Sequence, residues 1–285
     1  MIIDFHTHTF PEKIAGSTLE KLSAASHTRP FTNGTAQGLT ASMAEAGVDL
    51  SIVLPVATAP RQVEHINDSA ATVSAQVEET GLLSFGCMHP DFPGWREELT
   101  RIHSLGLKGI KLHPVYQGVD FDDPRYLRIL DRAGELGLIV VTHAGLDVGF
   151  PGMVKCSPEM IRRAVEQVGP VKLVLAHMGG WRCWDQVLEQ LSGLPVSIDT
   201  SFSIGKMTPA DNYYREEDLN LLDERAFVKL VRAFGARRVL FGSDSPWSSQ
   251  KDSLSWIRGC GLTEEETSAI LGRNGEALLR GRCGK

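Results

Sequence analysis

The 285-residue sequence predicts an α/β fold, a (β/α)8 TIM barrel that extends as a single domain over residues 1–285. Two observations lead to this prediction. Eight short apolar, β-branched runs recur along the chain, and segments with a helical pattern lie between them. The repeat of about thirty residues is typical of parallel strands joined by helices. A doubly wound open sheet is the alternative, but no glycine-rich phosphate-binding turn follows the first run.

The predicted strands are near-continuous apolar runs, as expected of strands that are buried on both faces. In chain order they are MIIDFH (1–6), DLSIVLPV (49–56), GLLSFGCMHP (81–90), LKGIKLHP (107–114), GLIVVTHAG (137–145), VKLVLAHMGG (171–180), LPVSIDTS (194–201) and RRVLFGSD (237–244). Each run supplies one strand of the expected ring.

Helical patterns separate these runs. They cover residues 37–47, 64–81, 95–106, 123–137, 157–169, 182–193, 224–235 and 262–281. The fourth has the strongest signals, since Asp123 is a capping residue, Pro124 suits the first helical position and Gly137 ends the pattern. The longest segments without a clear pattern are 9–36 and 202–217. We expect these to be loops with short helices, and the second of them to be either a lid or a solvated loop.

The bulk properties argue against several classes of function. The net charge is −6 and no basic run is present, whereas phosphate binding needs a concentrated positive surface. No apolar stretch approaches the ~20 residues of a membrane helix, and the N-terminus lacks the pattern of a signal peptide. The five scattered cysteines are typical of reduced thiols. We therefore expect a cytoplasmic protein with no nucleic-acid partner and no membrane partner.

Polar side chains gather at the carboxyl ends of the predicted strands, which converge in a barrel. These residues are His6, His8, His89, Lys111, His113, His143, His177, Asp199 and Asp244. His6 and His8 are two positions apart in a strand, so they point to the same face. Any one strand-end histidine is more often structural, but the joint pattern predicts a metal site. Imidazole and carboxylate ligands suit zinc best here, with manganese, iron, nickel or cobalt as alternatives.

Several motifs resemble those of the amidohydrolase superfamily. They are DFHTHTF, GIKLHP, VVTHAG, VLAHMGGW and VLFGSDSPW, with ILGRNGEALL near the end of the chain. The likeness covers nearly the whole sequence and is greatest to the branch related to aminocarboxymuconate-semialdehyde decarboxylase. It implies a (β/α)8 barrel of the metal-dependent hydrolase type, in which a divalent metal serves hydrolysis or nonoxidative decarboxylation.

The resemblance also implies a role for individual residues. His6, His8, His143 and Asp244 would hold the metal, with one ion favoured over two. A divalent ion lowers the pKa of a bound water molecule, and Asp244 would be the catalytic base that accepts its proton. His177 would be the second catalytic residue, which polarises the substrate or orients the water. The alternative for Asp244 is a helix N-cap, because serines and a proline beside it indicate a turn.

The candidate substrate-binding residues are Lys111, His113, Tyr116 and Trp247. Lys111 would contact an anionic substrate as an ammonium group. In binuclear relatives a carboxylated lysine on this strand bridges two metals, and an ion pair with Asp199 is the structural alternative. For His113 the alternative is a hydrogen-bonded core histidine, and for the two aromatic residues it is packing.

Three functions remain open at this point. The first is a hydrolase that uses metal-activated water on a small amide, ester or lactone. The second is a metal-dependent decarboxylase or hydratase of a small unsaturated or aromatic carboxylic acid. The absence of an arginine directly after a strand counts slightly against this second function. The third is a non-catalytic metal-binding scaffold. The expected partner is a small-molecule substrate, and a homo-oligomer is plausible because barrels often pair.

Overall fold

The computed structural model describes residues 1–281 and shows one parallel ring of strands. The strands β1 to β9 are Ile3–Thr7, Leu50–Val53, Leu82–Ser84, Gly86–Cys87, Gly109–Leu112, Ile139–Thr142, Lys172–Leu175, Ser197–Asp199 and Val239–Leu240. They pair in sequence order, in one set from β1 to β3 and another from β4 to β9. The third predicted strand is interrupted at Phe85, whose amide donates to the carbonyl of Val53 (2.9 Å). The prediction of an eight-stranded barrel is confirmed, with β3 and β4 as halves of one strand.

The first and last strands meet at a seam that closes the ring. The amide of Phe5 donates to the carbonyl of Phe241 (2.7 Å), and the amide of Asp244 donates to the carbonyl of His6 (2.8 Å). The seam therefore brings residues from the two ends of the chain together where the strands end.

Helices surround the ring. The helices α1 to α13 are Glu12–Ser26, Ala36–Ala46, Val63–Ser74, Val77–Thr80, Trp95–Ser104, Pro114–Gln117, Pro124–Glu135, Pro158–Gln167, Trp184–Leu191, Glu224–Phe234, Gln250–Gly259, Glu264–Ser268 and Asn274–Leu279. Short 3-10 helices cover Pro60–Gln62, His177–Gly179, Glu216–Leu219 and Ala236–Arg238, and a π-helical turn covers Ala269–Arg273. As predicted, Asp123 caps α7 by accepting a hydrogen bond from the amide of Arg125 (2.8 Å). None of the helices in the described residues is long and apolar enough to cross a membrane.

The prediction of loops with only short helices over 9–36 is wrong, because α1 has 15 residues. Its sequence, EKIAGSTLEKLSAAS, is rich in small and polar residues and buries only Ala15, Leu19 and Ser26. Such a weakly amphipathic segment gives little periodic signal. The second long segment is irregular, as expected. The amide of Ala210 in it donates to the carbonyl of His27 after α1 (2.9 Å).

One apolar cluster fills the interior of the ring, since its members come from strands on all sides of it. This apolar layer consists of Ile3, Phe5, Ile52, Leu54, Phe85, Ile139, Val141, Val174 and Leu240. The rings of Phe5 and Phe85 meet edge to face with 5.9 Å between centroids. Each fully buried side chain of this size contributes about 1.5–3 kcal/mol to folding. The apolar layer is therefore a main source of stability for the barrel.

Candidate metal centre

Three of the four predicted metal ligands lie together at the seam. The Nε2 atoms of His6 and His8 are 3.2 Å apart. The Oδ1 atom of Asp244 lies 3.5 Å from the Nε2 atom of His6 and 3.2 Å from that of His8. The turn that follows β9 sets this geometry, since Asp244 adopts a positive φ of 68°. Ser249, not Asp244, caps the next helix, which rules out the capping alternative for Asp244.

Hydrogen bonds on the far side of each imidazole fix its tautomer. The Nδ1 atom of His6 lies 2.8 Å from Oδ2 of Asp199, and the Nδ1 atom of His8 lies 2.8 Å from the carbonyl oxygen of Leu54. Both acceptors require a hydrogen on Nδ1, so both neutral rings present Nε2 lone pairs. Two lone pairs and a carboxylate oxygen that face each other at such distances repel unless a cation lies among them. This donor set fits a divalent metal ion.

His143 and His177 form a second facing pair. The Nε2 atom of His143 lies 3.0 Å from the carbonyl oxygen of Leu146, and the Nδ1 atom of His177 lies 3.0 Å from that of Ser201. The remaining nitrogens, Nδ1 of His143 and Nε2 of His177, face each other at 3.0 Å. By the same tautomer argument, both present lone pairs. The ring centroids of His6 and His177 are 5.4 Å apart, so the two histidine pairs are neighbours.

Burial controls the charge of these groups. It lowers the pKa of His143 to about 3 and that of His177 to about 4, and nearby charged groups contribute. These imidazoles are neutral at pH 7 and can act as ligands. Burial raises the pKa of Asp244, but its contacts with His8 and the other imidazoles outweigh this effect and hold the pKa at about 2. The carboxylate is therefore ionised.

His6, His8 and Asp244 form the candidate metal-ligand cluster. Lys111 is buried beside it, with 1% of its surface exposed. Its Nζ atom lies 3.1 Å from the Nε2 atom of His6. Burial lowers its pKa to about 8, against the opposing effect of Asp199 and Asp244. Within residues 1–281, no carboxylate oxygen lies within 4.0 Å of this Nζ atom. The ion pair with Asp199, which was the structural alternative for Lys111, is therefore not formed, and Oδ2 of Asp199 accepts from Nδ1 of His6 instead.

Asp199 and Asp4 support the ligand-bearing strands. Asp199 also accepts hydrogen bonds from the amide of His177 (3.1 Å) and from the hydroxyl of Ser201. It therefore links the two histidine pairs. Asp4 accepts from the amides of His6 (3.2 Å) and Ser243 (2.9 Å), which joins β1 to the segment before Asp244.

The structure brings together a further group that sequence reasoning did not identify. His113, His143 and Asp147 offer ligand atoms within 4.8 Å of one another. The Oδ2 atom of Asp147 lies 3.6 Å from Nε2 of His113 and 3.7 Å from Nε2 of His143. Asp147 lies in the loop after β6. In the sequence, the only indication of its role is its position four residues after His143, which ends the predicted strand.

The two predicted aromatic contacts have different surroundings. The ring of Tyr116 stacks on that of His113 with 3.8 Å between centroids, so Tyr116 lies beside the histidine groups. Trp247 is half-buried and packs against the apolar cluster that contains Trp181 and Phe202. Trp247 thus makes the packing contacts of its alternative, and substrate contact by Tyr116 and Trp247 stays a prediction.

A parallel eight-stranded barrel with histidines and an aspartate converging at its strand ends defines a class of metal-dependent enzymes. The family model for amidohydrolases matches residues 3–281. The chain belongs to the amidohydrolase family and is an enzyme of that superfamily. No curated protein matches it.

Solved structures share the fold at low sequence identity. An uncharacterised TIM-barrel protein from Bordetella bronchiseptica has a TM-score of 0.76 and 17% identity, with 99% of each chain covered. A dihydroxybenzoic acid decarboxylase from Polaromonas with bound manganese has a TM-score of 0.67 and 15% identity, covering 99% of this chain and 98% of its own. A protein assigned as a candidate 2-pyrone-4,6-dicarboxylic acid hydrolase from Pseudomonas putida has a TM-score of 0.65 and 19% identity, with 99% and 98% covered. These similarities confirm the barrel fold.

Proposed function

We propose that this protein is a metal-dependent nonoxidative decarboxylase of a small aromatic or unsaturated carboxylic acid. One divalent ion, held by His6, His8, His143 and Asp244, is the proposed cofactor. The ion would act as a Lewis acid that withdraws electrons from the substrate. Zinc remains the first choice from the ligand chemistry, with manganese close behind because a similar structure contains it.

The observation that carries this proposal is the buried ammonium group of Lys111. A buried charge is costly unless another charge pairs with it, and Lys111 has no such partner within 4.0 Å among the described residues. Its closest polar contact is Nε2 of His6, at the metal-ligand cluster. A carboxylate substrate would supply the missing negative charge. The ammonium group of Lys111 can bind the substrate carboxylate in place of an arginine, which is missing directly after the strands.

The comparisons support the decarboxylase over the hydrolase. Decarboxylases of carboxyvanillate and dihydroxybenzoate recur among the similar structures. Decarboxylation breaks the bond between the carboxyl group and its carbon, and that carbon then takes up a proton. In the proposed mechanism, Lys111 binds the carboxylate, and the ionised Asp244 takes a proton from water and passes it to that carbon as carbon dioxide leaves. His177, whose far nitrogen donates to the carbonyl of Ser201, presents its Nε2 lone pair and orients the substrate or a water molecule by accepting a hydrogen bond.

Hydrolysis of a small amide, ester or lactone is the second candidate. It is compatible with the ionised state of Asp244, since a carboxylate can accept a proton from water. One of the similar structures is described as a candidate pyrone dicarboxylic acid hydrolase, which supports hydrolysis as the second candidate.

The test combines metal analysis with product detection. Protein purified without chelator should contain about one divalent ion per chain. It should release carbon dioxide from at least one member of a panel of hydroxybenzoic and unsaturated acids. In the His6→Ala/His8→Ala variant, both the metal and the activity should fall by at least about 100-fold, because two of the four ligands are lost. The exposed His65 provides a matched control, and His65→Ala should keep both.

A second variant addresses the carboxylate site directly. Lys111→Met keeps the length of the side chain and removes its charge. We expect the KM for the acid to rise at least about tenfold while the metal content stays near one ion. Release of product from lactones or esters without carbon dioxide would move the assignment to the hydrolase. Protein that binds no added zinc or manganese would exclude both functions.

A further inference from the structure

His113 differs from the four imidazoles of the two facing pairs. It precedes the short helix α6, and its Nδ1 atom accepts a hydrogen bond from the amide of Tyr116 (3.4 Å). The lone pair is therefore on Nδ1, and the neutral ring carries its hydrogen on Nε2. His6, His8, His143 and His177 have donor hydrogens on the far side and lone pairs facing one another. His113 instead presents a donor.

Asp147 presents an acceptor beside this donor. Its Oδ1 atom accepts from the amide of Gly149 (2.8 Å), whereas its Oδ2 atom lies 3.6 Å from Nε2 of His113, beyond hydrogen-bond distance. Within residues 1–281, neither this Oδ2 atom nor the Nε2 atom of His113 has a hydrogen-bond partner. Both side chains are buried, with 7% of each residue exposed. Neither atom is among the fully buried side-chain atoms of the described residues that lack a partner, so each keeps accessible surface through which a ligand or water can satisfy it.

A metal ion does not fit this pair together with His143. The rings of His113 and His143 are stacked, with 4.4 Å between centroids and 15° between planes. In-plane lone pairs on stacked rings run parallel, so they do not converge on one ion. In addition, the Nε2 atom of His143 donates to the carbonyl of Leu146 (3.0 Å). The group is therefore a poor match for metal coordination, despite its composition.

We propose that His113 and Asp147 form a specificity site for a hydroxyl group of the substrate. A hydroxyl both accepts and donates, so it can accept from Nε2 of His113 and donate to Oδ2 of Asp147 at once. The inference rests on the proposed function, because it places this hydroxyl on the carboxylic acid that Lys111 binds. It narrows the substrate class to hydroxy acids.

The surroundings favour a flat substrate. Tyr116 stacks on the other face of His113 at 3.8 Å, and the ring of Phe150 lies 5.4 Å from that of Tyr116. Phe150 is 40% exposed, so it lies towards solvent at the edge of this aromatic group. Planar rings gain from such contacts. We therefore expect a phenolic hydroxyl rather than that of a flexible chain.

The test measures binding with matched probes by titration calorimetry. The probes are benzoate, 3- and 4-hydroxybenzoate, and the two corresponding methoxybenzoates. Neither hydroxyl position can chelate a metal together with the carboxylate. At least one hydroxybenzoate should bind about tenfold more tightly than benzoate and than its own methoxy ether, as expected for a hydrogen-bonded pair in a buried site. Equal affinities for all five would overturn the proposal.

Two variants test whether His113 and Asp147 cause the tighter binding of the hydroxybenzoate. His113→Phe keeps a ring in the stack and removes the donor, and Asp147→Leu removes the acceptor. In each, the tenfold advantage should disappear while benzoate affinity changes by no more than about twofold and metal content is unchanged. Retention of the advantage in both variants would contradict the assignment.

A neutral pair of probes separates this inference from the proposed function. If no acid binds, phenol is compared with anisole. Tighter binding of phenol would support the hydroxyl site and reject the carboxylic-acid function, and equal or absent binding of the two would reject the hydroxyl site as well.

Discussion

The interior of the barrel has two ends that are equally buried but differ in chemistry. One end is the apolar layer, where side chains such as Phe5 and Phe85 pack against each other and against other apolar residues. The other end holds the histidine pairs, Lys111 and Asp244, all less than a tenth exposed apart from His8. The apolar layer gains free energy from burial, whereas the polar end loses hydration for every group it buries. Within the barrel interior, burial therefore stabilises the fold at the apolar layer and costs free energy at the polar end.

The low pKa values show what burial costs the polar end. His143 and His177 are held neutral because their charged forms would lose hydration. The arrangement persists because their far nitrogens have fixed hydrogen-bond acceptors. A metal ion that binds only the folded state adds the stability that the metal-free site lacks.

The largest difference between the two ends should appear in a matched pair of substitutions. Phe85→Ala should reduce the free energy of unfolding by about 3–5 kcal/mol, because it leaves a cavity in the apolar layer. Lys111→Met should change it by less than about 1 kcal/mol, or increase it, because it removes an unpaired buried charge. Urea unfolding of the metal-free proteins measures both. A larger loss for Lys111→Met than for Phe85→Ala would contradict the comparison.

A smaller effect is expected when the hydrogen bond between Asp199 and the candidate ligand His6 is weakened. Asp199→Asn keeps an oxygen near Nδ1 of His6 but removes the negative charge that strengthens the ring as a ligand. Affinity for zinc should fall by about 10–100-fold. Competition with a chelator of known affinity measures this change. Asp131, which accepts from the amide of Gly169 far from the ligands, provides the control, since Asp131→Asn should leave zinc affinity unchanged.

The smallest effect concerns the pH dependence of stability. The pKa of His177 is about 4 in the folded protein, below its ordinary value of 6.5. Between these values the unfolded chain binds more protons, so acidification from pH 6.5 to 4 destabilises the metal-free protein. In His177→Gln, the slope of unfolding free energy against pH should decrease by up to one proton, or ~1.4 kcal/mol per pH unit. Identical slopes would show that this imidazole titrates normally.

Much of the fold was predictable because its signals are local. Buried parallel strands require apolar runs, and a capping residue before a proline identifies the start of α7. The break at Phe85 was not predictable, because the run GLLSFGCMHP is apolar throughout and the interruption depends on pairing with β2. Helix α1 escaped detection for the opposite reason, since it buries few side chains and has little periodicity.

The candidate site was predictable only in part. The strand ends indicated His6, His8 and Asp244, because a barrel brings such positions together. The pairing of His143 with His177, and the position of Lys111 against His6 rather than Asp199, depend on side-chain geometry that no spacing reveals. Asp147 lies in a loop, where the sequence offers no periodicity to place it.

The seam of the barrel has a consequence for the synthesis of the protein. Asp244 and the segment that bonds to β1 are synthesised more than 230 residues after His6 and His8. The metal-ligand cluster and the closed ring therefore arise from the same late event. A nascent or truncated chain that ends before this segment has neither the complete ligand cluster nor the closed ring. We therefore expect it to bind the metal only after the last strand has been synthesised.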